Sequence, residues 1–518
     1  MLAMSLLLSI FLVGENLRAE WRIIDDHEIA AFLGSDHLLR VQELPSVMGI
    51  TDFARFKEIM RFRPAYYPLR IAEVILWGAN PHLWYASRMI LFALFIFLLW
   101  WMTADAIGVL GGVIFTMFIL ASHYWSKIIL YISGAEPYAC VGTALFFWSF
   151  FRLCRPIKWE KTTEARTTHW WILLSIGGFI AAGSKENFVP LILLPILALL
   201  AISIHRKALR LIPFLSIVFL LSTITTIIGF VGYATLRSGH DVYFRSTSLT
   251  ARLPIALGSI SYTVNNLHIL PILVIAIILS VFAYCRTRDW RKTFMPWRHY
   301  WLFLIYLIVI YASQYVYYNG DIPLGSRYAF PAVLCQEIFW LVCFLLGSEL
   351  LTIARLHQVA LLCIRTVFLV IITAGIVMQG GLFTIRRAAH ENLLRTQTFA
   401  QEITVLRTLV ALTPTLPIIL EPAYCFSHYE PPFSVARFLL FEHVQNPIYL
   451  TMKEDMKERD SLLGGPLCRQ LQYYSREGRL EHGYNIHPLR EFHGGDCVSI
   501  VFNNAVPQTC KRSFSITI

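Results

Sequence analysis

Charge is what this sequence has least of. Only 15% of its 518 residues are Asp, Glu, Lys or Arg, 56% are hydrophobic, and the mean hydropathy is +0.58. That balance excludes an ordinary soluble globular protein and puts most of the chain in a membrane. A net charge of +11 would suggest a nucleic-acid partner in a soluble protein. Here, however, Lys and Arg cluster in short connections between apolar runs, which is the pattern of membrane insertion, so no nucleic acid is expected. No basic stretch precedes the first apolar segment, residues 1–13, and no small-residue cleavage motif follows it. A retained first helix is favoured over a signal peptide. His and Cys do not recur at metal-ligand spacing: His482, His487 and His493 fit no zinc pattern and read as solvated or packed. Internal repeats and ionisable groups near span centres are also missing, which argues against a transporter or lipid flippase.

What is present is a succession of apolar runs of span length. After residues 1–13 they fall near 85–103, 106–122, 137–153, 169–183, 187–204, 211–235, 268–285, 300–318, 329–351 and 359–382, about eleven helices in all. With the amino end cytoplasmic, the basic connections around Arg152–Arg166, Arg206–Arg210, Arg286–Arg298 and Arg355 lie inside. The opposite side keeps fewer cations: Lys127, Lys185, Arg237, Arg245, Arg252 and Arg327. Positive-inside therefore exports the loop of residues 20–84, the turns at 185–186 and 327–328, and everything after about 383. Four of the ten cysteines, Cys425, Cys468, Cys497 and Cys510, fall in that exported tail, where one or two disulfides are expected with their pairing open.

The polar punctuation concentrates on the exported side. Asp25-Asp26 stands just beyond the first apolar segment, and Phe53, Phe56, Ile59 and Met60 recur at helical spacing as an interfacial helix. Arg61-Phe62-Arg63-Pro64-Ala65-Tyr66-Tyr67 then packs two guanidiniums and two phenols into seven residues, suited to an anion beside an apolar surface. Glu136 directly precedes Pro137 at a span start, and Lys185-Glu186-Asn187 interrupts two apolar runs in a tight turn. Arg327-Tyr328 opens a late span, where the helix dipole disfavours a cation unless an anion is close.

In order and in common side, these pieces resemble the GT-C superfamily of integral-membrane glycosyltransferases that use polyprenyl-phosphate sugars, in particular its protein mannosyltransferase-like and aminoarabinose transferase-like branch. The resemblance covers most of residues 1–385 and rests on Asp25-Asp26, the 61–67 segment, Glu136, Lys185-Glu186-Asn187 and Arg327-Tyr328. It implies a GT-C-type helical bundle acting on the outer, periplasmic or luminal face, in a bacterial inner membrane. Asp25 or Asp26 would be the base for the acceptor hydroxyl, with Arg61, Arg63, Lys185 and Arg327 on the donor phosphate, and inversion at the anomeric carbon. Glu136, Glu186, Tyr66, Tyr67 and Tyr328 would bind substrate or orient the cations. The family divides on metal use, so a divalent ion such as Mg or Mn on Asp25, Asp26 and Glu136 stays open. The partners implied are membrane lipid, the donor, and a glycan, lipid or protein acceptor. A polysaccharide ligase or polymerase is the nearest alternative.

The tail, 386–518, reads as a small α/β domain. Leu393–Leu412 and Phe433–Val444 have helical patterns, and 417–420, 448–450 and 497–502 look like strands. Acceptor recognition or a lid over the active face is its expected role.

Overall fold

The computed structural model describes residues 1–33, 36–49, 51, 61–122, 124–154, 165–205, 210–238, 249–318, 320, 322, 327–355, 358–378, 380–420, 430–450, 486–488, 492–502, 510 and 512–516. The helices are α1 (Leu2–Val13), α2 (His27–Ala30), α3 (Leu44–Gly49), α4 (Tyr66–Trp77), α5 (Pro81–Leu120), α6 (Tyr124–Ile129), α7 (Glu136–Cys154), α8 (Ala165–Ser184) and α9 (Val189–His205). They continue with α10 (Leu211–Ser238), α11 (Leu249–Asn266), α12 (Ile269–Thr287), α13 (Trp290–Tyr317), α14 (Ala332–Ile353), α15 (Gln358–Met378), α16 (Phe383–Ala411) and α17 (Glu430–Phe441). Five short strands complete the chain: β1 (Ile418–Leu420), β2 (Ile448–Leu450), β3 (Ile486–Pro488), β4 (Val498–Phe502) and β5 (Arg512–Ile516). The interfacial helix expected from Phe53, Phe56, Ile59 and Met60 lies outside the described residues.

Among the described residues, 7 helical segments are long and apolar enough, by length and composition, to cross a membrane, against eleven expected runs. The chain is a helical membrane protein. Three differences account for the lower count. The first helix has 12 residues, about 18 Å, too short for a ~30 Å hydrocarbon layer. The helices α7 and α8 replace expected spans but carry Glu136, Arg152, Thr167, Thr168 and His169, which dilute their hydropathy. The spans expected at 85–103 and 106–122 are the two legs of α5, which folds back at Gly108.

That reversal is visible in contacts no straight helix allows. Gly108 has φ 81° and ψ 166°, far from helical values. A Cβ on Gly112 would stand 2.7 Å from the Ala104 backbone nitrogen, and the Thr103 and Thr116 hydroxyls lie 3.4 Å apart, where a straight helix would separate them by about 20 Å. The same turn fixes the ends of the bundle. α7 runs from Glu136 down to Arg152, which pairs with Asp105 beside the reversal at 3.1 Å. α8 returns, packed backbone to backbone: a Cβ on Gly142 would meet Ala181 N at 2.6 Å, and one on Gly177 would meet Phe146 N at 2.6 Å. Close approach through small residues is a common way for membrane helices to pack. It brings the start of α7 beside the end of α8.

The tail is an α/β unit with an all-parallel sheet in the order β3-β2-β1-β4-β5. Strands expected near 417–420, 448–450 and 497–502 are present. So are both expected helices, α16 beginning ten residues earlier than its pattern suggested. Cys497 and Cys510 form a disulfide, Cα–Cα 5.5 Å, whereas Cys425 and Cys468 lie outside the described residues. His493 is exposed, as a solvated histidine should be; His482 lies outside the described residues. The tail shares an apolar core with the first loop, where Ile23, Ile29 and Phe32 pack with Phe438, Leu439, Ile418 and Ile448. His37 seals the junction, stacking on Phe441 at 4.0 Å between ring centroids and donating Nε2–H to its carbonyl at 2.6 Å.

Candidate functional site

Four charged side chains from four distant segments meet at the end of the bundle where α7 begins. Arg327 Nη1 donates to Asp25 Oδ2 at 3.0 Å, and its Nε lies 3.7 Å from Glu136 Oε1. Lys185 Nζ reaches the same Glu136 oxygen at 2.6 Å. Glu136 and Lys185 are each only 5% exposed at the side chain, so this is a buried pair with an arginine added. The Tyr328 ring lies beneath both cations, 4.7 Å from Lys185 Nζ and 5.3 Å from Arg327 Cζ. The reason is local. Glu136 opens α7, whose dipole favours an acid there, and Lys185 follows the last residue of α8, where a cation is favoured.

Arg327 answers the question its position raised. It sits on the 3-10 turn Arg327–Ala329, before α14, and the anions that compensate it are Asp25 and Glu136. Burial opposes ionisation of Glu136, but Lys185 and then Arg327 outweigh it and hold the carboxyl down at about 2. The carboxylate is therefore charged throughout the physiological range.

The two adjacent aspartates have separate surroundings. Asp25, 17% exposed at the side chain, faces Arg327 and adopts a left-handed backbone, φ 73°. Asp26 is fully buried; its Oδ2 accepts the Arg22 backbone N–H at 2.9 Å and its Oδ1 has no hydrogen-bond partner. Burial raises the Asp26 carboxyl to about 7, against the Arg22 N–H and charge. Of the pair, Asp25 belongs to the cluster.

The remaining expected residues form a flank. Glu186 turns to Arg63, Oε1 and Oε2 both 3.4 Å from Nε, and also accepts the Phe62 N–H at 3.3 Å, so it does not orient Lys185. Arg63 and Tyr66 lie side by side, with Cζ 5.9 Å from the ring. The Tyr66 hydroxyl donates to the Ser133 carbonyl at 2.6 Å, which ties α4 to the segment carrying Glu136. Tyr67 is buried against Tyr66, ring centroids 4.8 Å apart, and Arg61 is half-buried at the head of this flank. Asn187 clamps the turn: its Nδ2 donates to Gln314 Oε1 at 3.1 Å and to the Phe330 carbonyl at 3.1 Å, and Gln314 Nε2 returns a bond to the Asn187 carbonyl at 2.8 Å.

Sequence reasoning missed a buried layer beneath the cluster. Arg70 and Arg88, both 0% exposed, donate to one carbonyl, Ile132 O, at 2.8 and 3.1 Å. Glu73 accepts from Arg88 and from the Tyr138 hydroxyl and neutralises part of that charge. Tyr131 was missed too; its ring lies 4.7 Å from Arg327 Cζ and 3.9 Å from Arg22 Cζ. Another omission, and a correction to the expected absence of ionisable groups near span centres, is Glu337 in α14, buried, with Ser122 Oγ donating at 2.7 Å and Tyr124 OH at 3.4 Å. A lone carboxylate inside an apolar run was the available signal.

A divalent ion on Asp25, Asp26 and Glu136 does not fit this arrangement. Among the described residues no three His, Cys, Asp or Glu side chains gather to hold a metal. Glu136 is committed to Lys185 and Arg327, Asp25 to Arg327, and Asp26 is buried on Arg22. Chemically, the cluster pairs an accessible carboxylate with two cations fixed by a third group, an arrangement able to accept a proton at Asp25 and to hold an anion at Arg327 and Lys185. No protein-family model matches the chain, and searches of curated proteins and of solved structures likewise find no match.

Proposed function

We propose that this protein is a membrane glycosyltransferase that moves a sugar from a polyprenyl-phosphate donor to an acceptor on the outer face of a bacterial inner membrane. The observation that supports this reading is the meeting of Asp25, Arg327, Glu136 and Lys185 at one end of the bundle. Sugar transfer from a lipid phosphate needs the two capacities found there, a base for the acceptor hydroxyl and preorganised cations for the leaving phosphate. Asp25 takes the acceptor proton as that oxygen bonds the anomeric carbon. The bond from the anomeric carbon to the phosphate oxygen breaks, its electron pair leaving with the lipid phosphate, and configuration inverts. Arg327 and Lys185 stabilise the charge gathering on the phosphate, and Glu136 keeps both cations in place. Arrival of the phosphate draws Arg327 from Asp25 and so frees the base.

Reconstitution with a polyprenyl-phosphate sugar and measurement of sugar release tests the scheme. Asp25→Asn and Arg327→Ala are each expected to lower turnover by roughly 10²-fold or more, while Asp26→Asn retains most of it. Intact turnover in both Asp25→Asn and Arg327→Ala would falsify the assignment.

A further inference from the structure

Beneath the ion-pair cluster, the buried layer of Arg70, Glu73 and Arg88 enters no step of the proposed reaction. Its contacts converge on one short stretch of chain, the connection from α6 into α7 that ends in Glu136. Two consecutive carbonyls of that connection are met from this layer. Arg70 Nη1 and Arg88 Nε donate to the Ile132 carbonyl at 2.8 and 3.1 Å. Arg70 Nη2 donates to the Tyr66 hydroxyl at 3.0 Å, and that hydroxyl in turn donates to the Ser133 carbonyl at 2.6 Å. Arg88 Nη2 reaches past Glu136 to the Tyr138 hydroxyl on α7, at 2.9 Å. Glu136 therefore stands between two anchored points, residues 132–133 before it and residue 138 after it. The fully buried Trp84 ring packs against both guanidiniums, 5.1 Å from Arg70 Cζ and 6.0 Å from Arg88 Cζ.

Stability alone gives no reason for such a layer. Two guanidiniums against one carboxylate leave a net positive charge out of water, and buried charge sets of this kind are often matched or bettered in stability by apolar side chains of the same volume. Arg88 Nη1 has no hydrogen-bond partner among the described residues, which adds to the cost. What the charges supply and apolar groups do not is direction. An arginine fork presents several N–H groups at fixed angles, so one side chain holds a carbonyl and a phenol at once, which a lysine ammonium does not do with the same rigidity. Direction matters at this place. The backbone contact of α7 with α8 lies at Gly142, six residues beyond Glu136, and leaves the first turn of α7 to be fixed from elsewhere.

We propose that Arg70 and Arg88 are positioning residues: by clamping the chain on both sides of Glu136 they fix its carboxylate where it holds Lys185 and Arg327 together. The kinetic consequence of this assignment rests on the sugar-transfer reading; the grip on Glu136 does not.

Full-length protein in proteoliposomes carries the test, with two readouts. One is sugar release, split into kcat and donor KM. The other is acetylation of Lys185 by N-hydroxysulfosuccinimide acetate, followed by mass spectrometry of the peptide holding that residue. Arg70→Lys and Arg88→Lys keep the charge and lose the fork. Each is expected to lower kcat roughly tenfold or more with KM held within about twofold, and to speed Lys185 acetylation roughly tenfold as the ammonium loses its carboxylate. The triple variant Glu73→Leu/Arg88→Met/Tyr138→Phe makes the layer apolar; it is expected to keep the wild-type melting temperature and yet show the same two changes. If it does not fold, the two lysine variants decide. Trp297→Phe, which removes one hydrogen bond of 2.9 Å to Ser280 Oγ on α12, controls for lost stability. Lys185 acetylation at the wild-type rate in both lysine variants overturns the proposal, and so does a rise that Trp297→Phe reproduces at an equal loss of melting temperature. A triple variant with wild-type melting temperature and wild-type acetylation overturns it as well. A wild type that releases no sugar sinks the reaction proposed above and leaves the acetylation readout to judge the clamp.

Discussion

At the scale of single residues, adjacency in sequence says little about adjacency in chemistry. Asp25 and Asp26 share a dipeptide, yet one meets Arg327 and the other is sealed against Arg22. The buried one makes a pH prediction. Its folded-state value, about 7, lies above the ordinary 3.8, so the native state binds more protons than the unfolded chain between those limits. Stability from Asp26 is therefore complete below about pH 4 and declines as pH rises toward 7, by up to about 1.4 kcal/mol per pH unit. Thermal melts of wild type and Asp26→Asn across pH 4 to 8 check this: the variant's curve is expected to lack that decline. For Asp25 the backbone decides which substitutions are informative. At φ 73° asparagine sits almost as comfortably as aspartate, whereas alanine or glutamate adds backbone strain to the loss of chemistry. The charged positions were legible because a carboxylate or cation next to a bilayer is costly without a purpose. Arg70, Arg88 and Glu73 were not, since arginines near a span end read equally well as side chains snorkelling to the headgroups.

Among the elements, the contact between α7 and α8 sets the distance from Glu136 to Lys185. Glycines 142 and 177 let the two backbones touch, and a methyl at either would meet backbone atoms at 2.6 Å. Backbone cannot rotate aside as a side chain can, so the helices must separate. Gly177→Ala is expected to cost about 1–3 kcal/mol of stability and to lower turnover beyond that of the small-for-small control Ala182→Ser, by shifting Lys185 off Glu136. Melting temperature and turnover measured on the same samples check both parts. Helix existence was readable from apolar runs, and so was a break between the spans expected at 85–103 and 106–122; its position at Gly108 was not, because that residue falls inside the second expected run. The strands β3 and β5 were not: three residues, and five that run from exposed to buried, give no period long enough to register.

For the whole molecule, the tail is part of the site's foundation. Its helices α16 and α17 close the core that carries the Asp25 loop, with Trp21 against Phe438 and Phe441 and with Asn392 bonded to Asn16 and Tyr85. A chain ending near residue 412 loses the sheet and α17 and leaves Ile23, Ile29 and Phe32 without their apolar partners. It is expected to insert into membranes yet to have lost turnover, with the first loop cut by protease faster than in the full chain; limited proteolysis in proteoliposomes checks this. Helix and strand assignments in the tail came from local pattern, but its docking on the first loop joins residues nearly 400 apart and leaves no local trace.

Gly108 acts on the same scale. A straight helix from Pro81 to Leu120 would extend about 60 Å, twice the thickness of the hydrocarbon layer. It would deliver Tyr124, Tyr131 and Glu136 to the end of the bundle opposite Asp25. By turning the chain back, one residue without a side chain returns it toward the end it left. Without that reversal Glu136 could not meet Lys185, Arg327 and Asp25.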